Sequence, residues 1–228
     1  IAVTVTNVYE QPVIDSNGSG TTAAVNVAEN STAVTTVTSV IDSDGTGKTY
    51  SITGGADASL FDIDSSTGAL SFKSAPNYES PTDAGPNNVY DVTVSVSDGK
   101  GGTDTQAIAV TVTNVNESPV ITSNGGGATA TPVSFAENST NVVTTVTSTD
   151  VDASATATYS IIGGDDAGKF DINASTGELT FKSSPNYELP TDIGTNNVYD
   201  VKVQVSDGSL TDTQDIAVTV TNVNEPPT

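Results

Sequence analysis

The 228-residue sequence contains no cysteine, histidine, methionine or tryptophan, and these absences remove whole classes of site. Without cysteine there are no disulfides, no thiolate nucleophile and no zinc or iron–sulfur site of the usual kind. Without histidine, the commonest general base and transition-metal ligand is missing as well. The metal chemistry that remains uses hard oxygen ligands, which indicates calcium or magnesium.

Basic residues are scarce too, because six Lys and Arg residues stand against 28 Asp and Glu residues, for a formal net charge of −22. Nucleic acid and anionic membrane surfaces are not expected as partners, since both are bound through Lys and Arg. The same charge implies repulsion within the folded protein unless cations relieve it. No stretch of this sequence has the pattern of a signal peptide, and no apolar run approaches the ~20 residues that a membrane helix needs. Targeting information is therefore expected to lie outside this sequence.

The sequence repeats itself at an offset of about 108 residues, the size of an independent domain. The terminal segment 1–8 returns at 108–115 and at 216–223. Shorter motifs return in the same order, including Ala-Glu-Asn, Asp-x-Asp, Ser-Thr-Gly, Asn-Tyr-Glu and Ser-Asp-Gly. Two tandem copies of one fold are the simplest interpretation.

Alternation of Val with Thr or Ser predicts short strands with one buried face. In Val89–Ser97, for example, every second residue from Val92 onward is Val. Strands are predicted in the first repeat near 24–27, 33–40, 49–53, 60–63, 69–73, 89–97 and 104–112. Seven short strands in about 100 residues predict an immunoglobulin-like sandwich. The fold class is all-β, with two tandem seven-stranded sandwiches.

Three joints follow the terminal strands and end in proline, which fixes φ and cannot continue a strand ladder. They are Asn7–Pro12, Asn114–Pro119 and Asn222–Pro227. Residues 1–12 are therefore predicted to be the terminal strand and linker of a preceding repeat. The two full repeats are predicted at 13–118 and 119–228.

Acidic motifs lie at equivalent places in each repeat. In a sandwich the loops cluster at the two ends, so motifs of adjoining repeats are expected to face each other across a joint. Residues i and i+2 of an extended segment point the same way, so Asp150 and Asp152 can reach one ion together.

Six motifs in a fixed order, each present twice, resemble the cadherin repeat in the form common in large bacterial surface proteins. They are Glu-Asn, Asp-x-Asp, the segments 61–70 and 170–179, Tyr-Glu, Ser-Asp-Gly and Asn-x-Asn-Glu-x-Pro. The resemblance covers essentially the whole chain.

The resemblance implies calcium ligands at the central joint, namely Glu29, Glu79, Asn114, Asn116, Glu117, Asp150, Asp152 and Asp207. It implies half sites in front at Asp42, Asp44 and Asp98, with Asn7 and Glu10, and behind at Glu137 and Glu188, with Asn222, Asn224 and Glu225. In the family the second Asp of Asp-x-Asp bridges neighbouring ions, which makes Asp152 the most sensitive position. Asn-Val-Asn-Glu replaces the Asp-x-Asn-Asp-Asn of vertebrate cadherins and lowers the ligand charge. One to three Ca²⁺ ions are therefore expected.

The remaining carboxylates have simpler interpretations. Turn formation accounts for Asp62, Asp64 and Asp171, and solvated loop or strand-edge positions are predicted for Asp83, Asp91, Asp192 and Asp200. Asp42–Gly45 fails as an EF-hand, because its glycine is misplaced and the closing Glu is missing. A glycosidase pair is disfavoured since each acidic group recurs in both repeats. No enzymatic activity is expected.

Two functions compete at this stage. The first is an extracellular, calcium-rigidified extender segment of a surface adhesin, whose partners are calcium and the neighbouring repeats. The alternative is a calcium-dependent module that binds polysaccharide or a second copy of itself. Neither function involves nucleic acid or insertion into a membrane.

Overall fold

The structure, a computed structural model, describes residues 1–4, 6, 8–40, 47–153 and 155–226. The chain separates into two structural units, residues 1–115 and 116–228. The assignment of residues 1–12 to a preceding repeat stays a prediction.

Alternating apolar residues build the first unit from strands on two layers. The strands are β1 (Val13–Ile14), β2 (Thr22–Ala28), β3 (Ala33–Thr36), β4 (Ser39–Val40), β5 (Thr49–Gly54), β6 (Phe61–Ile63), β7 (Ala69–Phe72), β8 (Val89–Ser97) and β9 (Thr103–Thr113). One sheet has the order β2-β9-β8-β5, and the other layer contains β3-β7-β6 and the pair β1-β4. Strand β2 runs parallel to β9.

The second unit repeats this architecture. Its strands are β10 (Val120–Ile121), β11 (Val133–Ala136), β12 (Thr144–Thr145), β13 (Ser148–Thr149), β14 (Thr158–Gly163), β15 (Phe170–Ile172), β16 (Glu178–Phe181), β17 (Val198–Ser206) and β18 (Thr211–Thr221). The orders β11-β18-β17-β14, β12-β16-β15 and β10-β13 match those of the first unit. The predicted all-β class is confirmed.

One predicted strand, residues 33–40, is divided in the structure. Its first part, β3, pairs with β7, and its second part, β4, pairs with β1. Between the two parts, the Val37 N–H donates to the Gly68 carbonyl at 2.8 Å. The short strand β1 was not predicted, because two residues are too few to show an alternating pattern.

Aromatic residues anchor each core between the two layers. In the first unit, Phe61 stacks on Phe72 with ring centroids 4.4 Å apart, and Tyr90 meets Phe72 edge-on at 5.1 Å. The Tyr90 hydroxyl accepts the Thr82 N–H, so the buried phenol has a polar partner. The second unit holds Phe170, Phe181 and Tyr199 in the same arrangement.

The Ser-Thr-Gly motif forms the turn that the sequence predicts. Asp64 Oδ1 accepts the backbone N–H groups of Ser66 and Thr67 at 2.9 and 2.8 Å. Gly68 has φ +75, and a Cβ there would collide with the Val37 carbonyl oxygen. Glycine is therefore required on both grounds.

Among the described residues, no helix has the length and apolar character needed to cross a membrane.

Candidate metal centre

Glu29 follows β2 directly and is 2% exposed. Its Oε1 accepts the backbone N–H of Val115 at 2.9 Å, and its Oε2 accepts the N–H of Tyr78 at 2.8 Å. The parallel pairing of β2 with β9 sets Ala28 against Thr113, which brings the next residue of β2 to the chain after β9. One carboxylate thus joins three segments of the first unit.

Glu79 lies beside this junction. Its Oε1 accepts the side-chain amide of Asn114 at 2.8 Å. The structure therefore brings three of the predicted ligands, Glu29, Glu79 and Asn114, to one end of the first unit.

The second unit forms the same junction from Glu137, which is 3% exposed. Its carboxylate accepts the N–H groups of Tyr187 and Val223, both at 2.8 Å. These two hydrogen bonds lower the pKa of Glu137 below its usual value. Asn222 donates to Glu188 Oε1 at 2.6 Å, as Asn114 does to Glu79. The arrangement is a property of the fold, since both repeats build it.

The remaining predicted ligands of the central joint gather at the other end of the second unit. Asp152 Oδ2 accepts the Glu117 backbone N–H at 2.8 Å, and the Asp152 N–H donates to Asp150 Oδ1 at 3.0 Å. Asn116 Nδ2 donates to Asp207 Oδ2, also at 2.8 Å. Asp152 and Asp207 are therefore both tied to residues that open this unit, and Asp150 is tied to Asp152.

Asp207 has its position fixed by its own loop. Its Oδ1 accepts the N–H groups of Ser209 and Leu210 at 2.6 and 2.7 Å. The pKa of Asp207 is lowered by the Leu210 N–H, then by the Asn116 amide and the Ser209 N–H. The group is held in its anionic form, which is the form that binds a cation.

Asp150 Oδ2 is the unexplained atom of the cluster. It is buried, and it has no hydrogen-bond partner among the described residues. A buried carboxylate oxygen without a partner is costly, and a bound cation would satisfy it. The carboxylate and amide donors present here suit calcium better than magnesium, because calcium accepts six to eight oxygens in flexible geometry.

The front end of the first unit differs from this pattern. Asp42, Asp44 and Asn7 lie outside the described residues, and Glu10 is exposed. Asp98 is 1% exposed, and its Oδ2 accepts the hydroxyl of Tyr9. This hydrogen bond raises the pKa of Tyr9 and lowers that of Asp98. Nothing in the sequence indicated a partner for Tyr9.

Two acidic residues predicted to be solvated are buried, so that prediction was wrong. Asp83 is 5% exposed and Asp192 is 3% exposed. Asp83 accepts the N–H groups of Gly85, Asn87 and Asn88 at 3.0, 3.0 and 3.1 Å. The duplicated sequence Pro-Thr-Asp-x-Gly was the available signal, because both repeats keep it. Asp91 and Asp200 are exposed, as predicted.

Comparison with known proteins gives one family match. The family model of the cadherin domain matches residues 131–221. Halomucin of Haloquadratum walsbyi is 50% identical over an alignment of 48 residues, with a coverage of 19% of this chain and 0% of halomucin. The chain therefore resembles a very small part of that protein.

Solved structures share the fold. Human protocadherin-24 EC1-2 superposes with a TM-score of 0.60 at 21% identity, covering 95% of this chain and 100% of that chain. Mouse cadherin-23 EC22-24 gives 0.57 at 20% identity, covering 94% and 68%. The extracellular cadherin domains 3–6 of protocadherin gamma B2 give 0.51 at 18% identity, covering 93% and 52%. At these identities the likeness concerns the fold alone.

Proposed function

Because residues 131–221 of this chain match the family model of the cadherin domain, we propose that the chain is an extracellular segment whose two repeats are tied together by calcium. The ions would lie between acidic groups of the two repeats, at the joint formed by residues 114–119. The role is structural and involves no reaction.

The observation that carries this proposal is that residues 114–117 are bonded to acidic side chains of both repeats. On one side, Asn114 donates to Glu79 at 2.8 Å. On the other side, the Glu117 N–H donates to Asp152 at 2.8 Å. Each repeat thus holds its own end of the linker through a predicted ligand.

Chain connectivity supports a shared site. Val115 is bound by Glu29, and Glu117 is bound by Asp152. Their Cα atoms are two peptide steps apart, at most about 7 Å in an extended chain. A divalent ion and its ligands span a similar distance, with calcium–oxygen bonds of about 2.3–2.6 Å.

Charge supports the same proposal. The predicted ligands include the carboxylates of Glu29, Glu79 and Glu117 from the first repeat and its linker, and those of Asp150, Asp152 and Asp207 from the second. Without cations, such a group repels itself and loosens the joint. Divalent cations would remove the repulsion, and one to three of them match the available charge.

The expected affinity explains how the joint would work. Extracellular calcium modules bind at about 10⁻⁴–10⁻³ M. At a free calcium concentration 100 times Kd, each site would stabilise the bound form by about 2.7 kcal/mol. The segment would therefore be stiff outside the cell and loose in calcium-poor cytoplasm.

The extracellular assignment is part of the proposal. The protocadherin gamma B2 structure that shares this fold consists of extracellular cadherin domains, and the acidic composition suits a calcium-rich environment. An extender segment of a surface adhesin is the function that this combination favours.

Isothermal titration calorimetry tests the proposal. The wild-type chain should bind calcium, and Asp152→Ala should lose bound ions or bind at least about tenfold more weakly, a change of about 1.4 kcal/mol. Asp171→Ala is the matched control, because it removes the same charge from the same repeat at an exposed ion pair with Lys182, 3.7 Å away. Equal calcium binding by wild type and Asp152→Ala would refute the proposal.

A further inference from the structure

The aspartate of the Ser-Asp-Gly motif has similar hydrogen bonds in the two repeats, except at one of its two carboxylate oxygens. In both, Oδ1 accepts two N–H groups of its own loop. For Asp98 the donors are Lys100 and Gly102, at 2.8 and 3.0 Å. In the second repeat Asp207 Oδ1 likewise accepts from residues 209 and 210. The loop therefore leaves Oδ2 as the atom that faces the linker.

The partner of Oδ2 is where the repeats differ. Asp207 Oδ2 accepts the side-chain amide of Asn116 at 2.8 Å. Asp98 Oδ2 accepts the hydroxyl of Tyr9, which stands at the corresponding place of the sequence Asn-Val-Tyr-Glu. A large phenol thus replaces a short amide beside a predicted ligand.

A second difference accompanies the first. Gly102 stands where the second repeat has Leu210, since each carbonyl accepts the N–H of its Ser-Asp-Gly aspartate. A Cβ atom at Gly102 would lie 2.9 Å from Pro12 Cδ, and nearer still to Asp98 Oδ2 and the Tyr9 hydroxyl. Tyr9 can occupy this position only because residue 102 has no side chain. The tyrosine therefore depends on the glycine, and the two residues act as a pair.

The consequence for Asp98 is burial. Its exposed fraction is 1%, whereas its counterpart Asp207 is only partly buried. The Tyr9 hydroxyl donates a hydrogen bond to Asp98 Oδ2, the oxygen that a cation would otherwise contact. An asparagine side chain can turn its carbonyl oxygen toward a cation shared with the aspartate. A neutral phenol, with an unperturbed pKa near 10, is not among the usual calcium ligands.

We propose that Tyr9, seated over Gly102, closes Asp98 to calcium, so that the front of the first repeat is held by a tyrosine–aspartate hydrogen bond. Joints of this chain then come in two kinds, selected by the residue at the third position of Asn-Val-x-Glu. With asparagine at this position the joint binds calcium, and with tyrosine a hydrogen bond to the aspartate takes the place of the ion. The inference rests on the proposed calcium site at the central joint, and it would make stiffness vary from joint to joint.

Transplanting the pair into the second repeat tests the inference. Asn116→Tyr with Leu210→Gly copies the Tyr9–Gly102 arrangement beside Asp207. Asn116→Gln with Leu210→Gly is the matched variant, because it differs only at residue 116 and keeps an amide oxygen. Calcium titrations should show at least about tenfold weaker binding, or one ion fewer, for the tyrosine variant than for the glutamine variant. Equal calcium binding by the two variants would overturn the inference.

Backbone NMR of the wild-type chain supplies a readout that does not depend on either variant folding. Calcium should shift the amide signals of Ser209 and Leu210, which donate to Asp207. It should leave those of Lys100 and Gly102, which donate to Asp98, in place. Comparable shifts in both loops would overturn the inference. If the wild-type chain bound no calcium at all, the proposed function itself would fail, and titration separates that outcome from the others.

Discussion

The carboxylate of Glu29 accepts a hydrogen bond from the backbone N–H of Val115 at 2.9 Å, across 86 residues of sequence. Its second oxygen accepts a hydrogen bond from the backbone N–H of Tyr78. Glu29 therefore fixes the start of the linker before any metal binds. The same side chain is a structural support and a predicted ligand, and the two roles can be separated by experiment.

Glu29→Gln should destabilise the first repeat even when calcium is absent. Glutamine has a single acceptor oxygen, so one of the two backbone N–H groups would lose its buried partner. The expected loss in the free energy of unfolding is about 1–3 kcal/mol. Urea denaturation in the presence of a chelator measures it.

Asp62→Asn is the control for this prediction. Asp62 pairs with Lys73 at 4.0 Å on an exposed surface, where an ion pair contributes little. If both variants lowered the free energy of unfolding equally, the structural role of Glu29 would be refuted.

Asp83→Ala should destabilise the first repeat more than its loop position suggests. The substitution leaves the N–H groups of Gly85, Asn87 and Asn88 without their acceptor. The expected loss is about 2–4 kcal/mol, measured as faster hydrogen exchange in β8 and β9. Asp91→Ala, at an exposed position of β8, should cost far less. Similar exchange rates in the two variants would contradict this prediction.

Much of the fold was predictable because it follows from local patterns. The alternation in residues 89–97 gives β8, and the duplication of six motifs predicted the cadherin resemblance that the family match to residues 131–221 confirms. The division of residues 33–40 was not predictable, since it depends on β3 and β4 pairing with different distant strands. The local sequence does not show where the chain changes from one partner strand to the other.

The candidate site was predictable in outline for a similar reason. The cadherin resemblance implied that Glu29, Glu79 and Asn114 would lie at one joint, and the structure brings these three residues to one end of the first unit. The role of Tyr9 was not predictable, because it needs the space above Gly102, about 90 residues away. Likewise, burial of Asp83 depends on the path of its loop, which composition does not reveal.

Asp200 on β17 lies among carboxylates. The residue is exposed, but partial burial of its carboxyl group raises its pKa, and the charges of Asp166, Asp165, Asp192 and Asp215 raise it further. Lys202, on the same strand, places its Nζ 3.3 Å from the Asp215 carboxylate. The first repeat has Ala56 and Ala107 in place of Asp165 and Asp215.

The stability of the second repeat should therefore fall as Asp200 ionises. A raised pKa means that the folded state favours the protonated acid, so the contribution is complete below the ordinary value of 3.8 and is lost as pH rises through the folded pKa. Asp200→Asn should match wild type in acid and be more stable at neutral pH. Hydrogen exchange of β17 measured against pH checks this, with Asp91→Asn as control. A pH-independent difference would contradict it.

Calcium should raise the melting temperature through binding and not merely through screening. Any ligand of the folded state stabilises it according to its concentration and Kd, about 2.7 kcal/mol at 100 times Kd. With a net charge of −22, salt alone also relieves repulsion. Calorimetric scans should therefore give a higher melting temperature in calcium chloride than in sodium chloride of equal ionic strength. Equal melting temperatures in the two salts would show that charge screening alone accounts for the stabilisation, and would contradict this prediction.

Small-angle X-ray scattering of the wild-type chain and of Asp152→Ala, each in calcium and in chelator, tests the central claim most directly. Calcium should narrow the distribution of end-to-end distances in the wild-type chain and leave that of Asp152→Ala broad. Identical wild-type scattering in calcium and in chelator, or an equal narrowing in the variant, would contradict a calcium-tied joint.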